Sequence, residues 1–303
     1  MENGNNLYHI VADGFSRIRI RDHNPELFGI SDKDKKYLES FVEEQTRKAK
    51  ERGGVFYDGS LIGILMDSFM IKDGELSFDA QNINYSQHAG LFRKSFNAPL
   101  QAMYVNGLTI TQDNKLVFGT TQATEADWMG KLNLPAGGLK IGPDGFPSLG
   151  AQFYEEIIEE LGITPDYHIK NKEIIPGWIN GMSKREGNYH LTTSFITYLL
   201  SNEKELSQYF GDWKEAQIKW MMNARERGEK VGITEFKELR FLPNDQKYLL
   251  KFIEEQDAKG KSANMLGKSL DVIEEWVRTY NCDIEKLKSS KDNTEIYLPQ
   301  PKF

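Results

Sequence analysis

Four glutamates fall within "QFYEEIIEELGI", the stretch from Gln152 to Ile163: Glu155, Glu156, Glu159 and Glu160. A helix turns about 100° per residue, which puts Phe153, Tyr154, Ile157, Ile158 and Leu161 on one side and the glutamates on the other. Glu156, Glu159 and Glu160 stand at i, i+3 and i+4, where like charges repel, and no lysine or arginine within the helix relieves them. A solvated acidic face is the bland reading. Carboxylates one turn apart are also the oxygen donors that a hard divalent cation such as Mg²⁺ takes, and the repulsion is then the cost of a binding site. Just upstream, "PAGGL" (Pro135 to Leu139) lets backbone come close to the helix, and the Gly137 carbonyl offers a further oxygen.

Positioning this helix requires a sheet on one side and a firm stop at its end. Gly162 supplies the stop, with Ile163 returning to the core. Before the helix, "LQAMYVNGLTITQ" and "NKLVFGTTQ" read as a strand pair turning at Asp113-Asn114. After it, "KEIIPGWING" and "NYHLTTSFITYLL" read as two strands around the polar loop "MSKREG". A charged helix spans about 202–228, "ITEFKELRFLP" reads as a strand, and "NDQKYLLKFIEEQDAKG" and "GKSLDVIEEWVRTYN" are helical. In the first hundred residues "SRIRIRDH" alternates as a strand does. Ser31 caps a helix that stops at Gly53-Gly54, and a hairpin turns at Lys72-Asp73-Gly74.

The chain has 303 residues, 39% of them hydrophobic, so it can bury a sizeable core. No apolar run approaches the eighteen or so residues that span a bilayer, and the N-terminal stretch lacks a secretory pattern. Cytoplasmic residence without a membrane partner is expected. The single cysteine, Cys282, rules out an intrachain disulfide and a cysteine-based zinc site and is expected to be an ordinary thiol. A net charge of -7 argues against gripping a nucleic-acid polymer. An acidic protein that handles phosphates needs a cation.

Together, "GGLKIGPDGFPSLGAQFYEEIIEELGI" resembles the Nudix box: Gly, five residues, Glu, seven residues, then Arg-Glu-aliphatic-any-Glu-Glu-any-Gly-aliphatic. Glu156, Ile157, Glu159, Glu160, Gly162 and Ile163 match without gaps. There are departures. With Gly138 as the first glycine, Asp144 stands where the early glutamate belongs and the next spacer is three residues too long. Glu155 replaces the arginine, which in the family helps orient the catalytic carboxylates.

The resemblance covers about 100–252. It implies a Nudix-type α/β/α sandwich with a mixed sheet over 100–252, an N-terminal α/β extension over 1–99 and C-terminal helices over 253–303. It also implies Mg²⁺-dependent hydrolysis of a pyrophosphate bond in a nucleoside diphosphate joined to another group, with Mn²⁺ able to substitute. Glu156 and Glu160 are then metal ligands, with the Gly137 carbonyl and Asp144 as further candidates, and Glu159 is catalytic or a near-ligand. The stretch "NYSQHAGLFRK...APLQAMYVNGLTITQDNKLVFG" is loosely similar to the region before the box in Nudix proteins that hydrolyse UDP-sugars, a hint toward nucleotide sugars.

Family members often carry another acidic residue near "TEFKELRFLP". Strand alternation lets only one of Glu235 and Glu238 face the metal, and Glu235 is preferred. Lys184 and Arg185, in the loop between two strands, could meet substrate phosphates, although an exposed loop pair without a role is the commoner case. Trp128 could stack on a base or cap a core. His9, His23, His88, His168 and His190 occur singly and read as packed or surface residues. A homodimer is compatible with the sequence. Two alternatives stand beside hydrolysis: a Nudix-fold module that binds a nucleotide without cleaving it, and an isomerase of the isopentenyl-diphosphate type, for which Cys282 is poorly placed.

Overall fold

The computed structural model describes the chain apart from residues 1–9, 13–16, 24–28, 52–55, 57, 69, 73–74, 94–97, 123–128, 141–148, 181–189, 230–234, 261–262 and 291–303. In chain order the elements begin with β1 (Ile10–Ala12), β2 (Arg17–His23), α1 (Asp32–Glu51), β3 (Ser60–Leu65), β4 (Met70–Lys72) and β5 (Glu75–Asn84). There follow α2 (Tyr85–Gln87), running into a π-turn over His88–Phe92, then β6 (Leu100–Ile110), β7 (Lys115–Thr121), β8 (Leu132–Asn133) and β9 (Ala136–Gly138). The rest are α3 (Leu149–Leu161), α4 (Pro165–His168), β10 (Ile169–Asn180), β11 (Leu191–Leu199), α5 (Glu203–Glu226), β12 (Phe236–Pro243), α6 (Gln246–Lys259), α7 (Gly267–Tyr280) and α8 (Ile284–Ser290).

β6 is the hub of one mixed sheet. It runs parallel to β11, with Met103 beside Leu191 through Ile110 beside Tyr198, and antiparallel to β3, β7 and β9. β12 extends the sheet antiparallel to β7, and β10 and β1 extend the other side.

Period-two alternation sorts the side chains into two layers. Met103, Val105, Val117, Leu191 and Phe195 pack with Phe153, Ile157 and Leu161 of α3 and with Leu206 and Phe210 of α5. Leu108, Ile110, Leu116, Phe118 and Ile196 face the other way, onto Leu249 and Ile253 of α6 and Leu270, Ile273, Trp276 and Val277 of α7. Helices therefore cover both faces, as the expected α/β/α sandwich requires. Each fully buried Phe or Leu in these layers contributes roughly 1.5–3 kcal/mol.

The N-terminal strands join the same sheet through β3, which pairs β6 from Gly63↔Ala102 to Leu65↔Leu100. Ile62, Ile64, Phe78 and Ala80 share the core that holds α3. The expected Ser31 cap is present, its Oγ accepting from the Asp34 N–H at 3.2 Å. Among the described residues, no helix is long and apolar enough to cross a membrane.

Candidate functional site

Helix α3 ends as its sequence demands. Gly162 takes φ 67°, its N–H donates to the Ile158 carbonyl at 3.0 Å, and the Ile163 N–H reaches back to Ile157 at 3.2 Å. This double closure satisfies the last carbonyls and turns buried Ile163 inward. At the other side of the site, Phe236 lies against Gly119, where a Cβ would overlap its ring. The Lys214 ammonium donates to the Phe236 carbonyl at 3.1 Å. These contacts fix the start of β12, and with it Glu235.

The helix does not divide as its sequence suggests. The reading of an apolar side opposite a glutamate side is corrected: Glu156 and Glu160 are buried, at 6% and 3% exposure, whereas Ile158 is 43% exposed. The buried arc instead runs through Gln152, Glu156, Glu160, Phe153, Ile157 and Leu161. The reason is β9. Its Gly137 comes so close that a Cβ there would overlap the Glu156 carboxylate, so the Glu156/Glu160 row is pressed against strand instead of water. Glu155 and Glu159 stay exposed.

Each buried carboxylate has only partial support. Gln152 Nε2 donates to Glu156 Oε1, and the Ala136 N–H donates to Glu160 Oε2 at 2.9 Å. Glu160 Oε1 is buried without a donor. The Glu160 side chain also faces the Glu235 carboxylate, whose negative charge is repulsive to it. Burial pushes Glu156 up to about 7, with Glu235 and Glu159 adding to the rise and Lys140 and Gln152 opposing it. Burial likewise raises Glu160 well above the ordinary range, reinforced by Glu235 and Glu156. Glu159 is raised by burial, Glu155 and Glu235.

Among the described residues no three such side chains are drawn together closely enough to hold a metal as folded, but the donor chemistry suits a hard divalent cation in two respects. The donors are carboxylate oxygens, and one buried oxygen has no hydrogen-bond donor to satisfy it.

Glu156, Glu160, Glu235 and Gly137 thus come together, with Glu159 at their exposed edge. Glu235 was expected on a strand, but it sits in the bend just before β12, and the register shifts between Phe236 and Glu238. Glu238 turns away and pairs with Arg240 at 2.8 Å. Asp144, Lys184, Arg185, Trp128 and His9 lie outside the described residues.

Two participants escaped the sequence reading. Gln152, one turn before Glu156, had helical spacing as its signal. Lys140, two residues past β9, had none; its ammonium stands 3.8 Å from Glu155 Oε2. Cys282 packs at the edge of the α6–α7 layer, and burial followed by Asp245 pushes its thiol up to about 12. His168 is buried and bonded to Ser201 Oγ at 2.7 Å.

No protein-family model matches this chain, and no curated protein matches it. Solved structures do show similarity. A bifunctional NMN adenylyltransferase/ADP-ribose pyrophosphatase from Francisella tularensis is 11% identical, over 60% of this chain and 42% of that one, with a TM-score of 0.36. This chain therefore spans less than half of that protein. A MutT protein from Methanosarcina mazei Go1 is 16% identical, over 60% of this chain and 95% of that one, with a TM-score of 0.33. A NUDIX hydrolase from Nitrosomonas europaea is 17% identical, over 63% and 90%, with a TM-score of 0.31. Likeness at this level carries no weight for activity, which is argued from the residues.

Proposed function

We propose that this protein is a Mg²⁺-dependent hydrolase that cleaves the pyrophosphate bond of a nucleoside diphosphate joined to another group, nucleotide sugars being the first candidates. The observation that supports this most is the convergence of Glu156, Glu160 and Glu235 with a buried oxygen left undonated. In this reading Glu156 and Glu160 hold the cation, with the Gly137 carbonyl and Asp144 as further oxygens. When bound, the cation neutralises the diphosphate and makes water a better nucleophile.

Glu159 and Glu235 are the candidates for accepting the proton of the attacking water, Glu235 from within the cluster and Glu159 from its edge. Gln152 holds the Glu156 carboxylate in its rotamer. Lys184 and Arg185 are proposed to meet the phosphates. The partner is a small nucleotide, the compartment the cytoplasm, and a homodimer is compatible with this reading.

The test is a product screen by mass spectrometry, with nucleotide sugars, dinucleotides and coenzymes supplied with Mg²⁺ or Mn²⁺. Nucleoside monophosphate release that disappears with chelator and with Glu160→Gln is expected. Absence of product from every class would overturn the proposal.

One observation favours the second reading, a nucleotide-binding module without turnover. Glu155 stands at the arginine position, where it accepts from Gln152 Nε2 at 3.1 Å and faces Lys140. A pure binder would be stabilised by nucleotides and yet release nothing. The isomerase alternative loses its footing, because the Cys282 thiol is strongly protonated and packs on the opposite face of the sheet from the glutamates.

A further inference from the structure

The sheet face turned toward α7 carries a second group of buried polar atoms without partners. Asn106 is 1% exposed, and neither its Oδ1 nor its Nδ2 has a hydrogen-bond partner. Beside it in register lies Ser194, fully buried, with Oγ unpartnered. Further along the same two strands come Tyr104 on β6 and His190 at the entry to β11, and His88 of the π-turn closes the group. The Nδ1 atoms of both histidines are buried and unpartnered. Tyr104 stacks edge-on to His190 with ring centroids 4.9 Å apart, and His88 lies 5.6 Å from Tyr104.

Buried polar atoms in folded proteins almost always find partners, so a local concentration of orphans asks for an occupant. The threonines on the other face, Thr109, Thr193 and Thr197, also have unpartnered oxygens but say less. A hydroxyl can rotate toward nearby backbone, whereas an amide presents its donor and acceptor in one fixed plane. A donor and an acceptor side by side match the edge of a nucleobase. The surrounding rings offer faces and edges for a planar ligand. Burial keeps His88 and His190 neutral, so each imidazole has one donor and one acceptor nitrogen.

Position connects this group to the glutamates. Gly137 faces Glu156 on the α3 side of β9, and the next residue, Gly138, faces Leu61 and the edge of the Tyr104 ring on the α7 side. The two groups are thus separated by the thickness of one strand, offset by one residue of about 3.3 Å. A nucleotide that spans the two groups has its diphosphate at the glutamates and its base on the α7 side of β9, beyond Leu61.

We propose that Asn106, Ser194, His190 and His88, with Tyr104 as a ring contact, recognise the heteroaromatic base of the substrate. This rests on the nucleotide reading given above but not on hydrolysis.

The experiment is calorimetric titration of the metal-free full chain with UMP, CMP, AMP and GMP, and with ribose 5-phosphate as the baseless control. These ligands contain no pyrophosphate bond, so turnover does not enter. At least one nucleotide should bind on the order of tenfold more tightly than ribose 5-phosphate. Asn106→Leu should erase that difference and Glu160→Gln should retain it. Equal binding of ribose 5-phosphate, no binding of any nucleotide, or an unchanged base preference in Asn106→Leu would overturn the proposal and leave ordered water as the occupant. Should Asn106→Leu fail to fold, Ser194→Ala and His190→Phe are read in the same way. A base preference without product in the hydrolysis screen keeps this inference and removes the hydrolase. Product without a base preference does the reverse.

Discussion

Two acidic clusters in this molecule look alike in composition and behave in opposite ways. At the β6–β7 turn, Asp113 and Glu203 converge on Lys115, whose ammonium lies 3.3 Å from Asp113 and also contacts Glu203. Slight burial works against the Asp113 charge there, but hydrogen bonds from Thr111, Lys115 and the Glu203 N–H hold its carboxyl below the ordinary range. Under β9, Glu156, Glu160 and Glu235 come together with no ion pair to any of them among the described residues. Lys140 reaches the exposed edge at Glu155 and opposes the rise of Glu156 only in part. The first cluster is complete as folded. The second is an arrangement that only a bound cation or a proton makes comfortable.

The sharpest way to break the contrast is Glu160→Gln. Hydrolysis should fall by more than the roughly hundredfold that loss of an outer-shell partner costs. The metal-free variant should melt at or slightly above the wild-type temperature, since one buried charge is gone. Equal Mn²⁺ affinity of the two proteins in a calorimetric titration would sink the assignment of α3 to the metal.

Proton linkage gives the clusters opposite signs. Between the unfolded value of 4.5 and a folded value of about 7, Glu156 binds more proton in the folded chain than in the unfolded one. Stability of the metal-free protein should therefore fall as pH rises through that window, on the order of 3 kcal/mol from Glu156, with Glu160 acting in the same direction. Saturating Mg²⁺ should flatten the slope. Asp113, depressed instead, contributes stability that is present above its unfolded value of 3.8 and lost as the pH falls. Urea melts from about pH 2.5 to 8, with and without metal, read both effects.

Next in size is the choice between neighbouring glutamates. Glu235→Gln should cut turnover sharply and shift the pH profile, while Glu238→Gln, which only loosens an exposed pair with Arg240, should leave both near wild type. Comparable losses in the two would leave the choice between Glu235 and Glu238 as open as strand alternation alone leaves it.

Gly137→Ala should displace the Glu156 carboxylate, weaken Mn²⁺ binding and cost about 1–3 kcal/mol of stability. A crystal structure with Glu156 unmoved would contradict the close approach. The smallest effect belongs to Lys115→Met. It breaks a complete but exposed ion cluster, so the melting temperature should barely move and the metal response should not change.

Residues within one element were largely legible before folding. The i, i+3, i+4 glutamates, the Gly162 stop, the strand pair turning at Asn114 (φ 58°) and the order of helices and strands all follow from local propensity and periodicity. Even the match of Glu156, Glu159 and Glu160 to a box pattern needed no coordinates, since one helix fixes their mutual spacing. The environment of those glutamates was another matter. Helical periodicity reports which residues share a side and not what that side will meet, so the sequence set Glu156 and Glu160 opposite the apolar side, and only the packing of β9 shows them buried. Glu235 is separated from Glu160 by seventy-five residues in sequence. Its arrival depends on Phe236 seating over Gly119 and on a register shift at the start of β12, neither of which leaves a pattern in the chain. The unpartnered atoms of Asn106 and Ser194 likewise exist only because β6 and β11 lie side by side. The sequence by itself determined the donors and their order along the chain. Tertiary structure decided which were dehydrated and which carboxylates had to face one another, because desolvation and charge proximity belong to the packed chain and not to any segment of it.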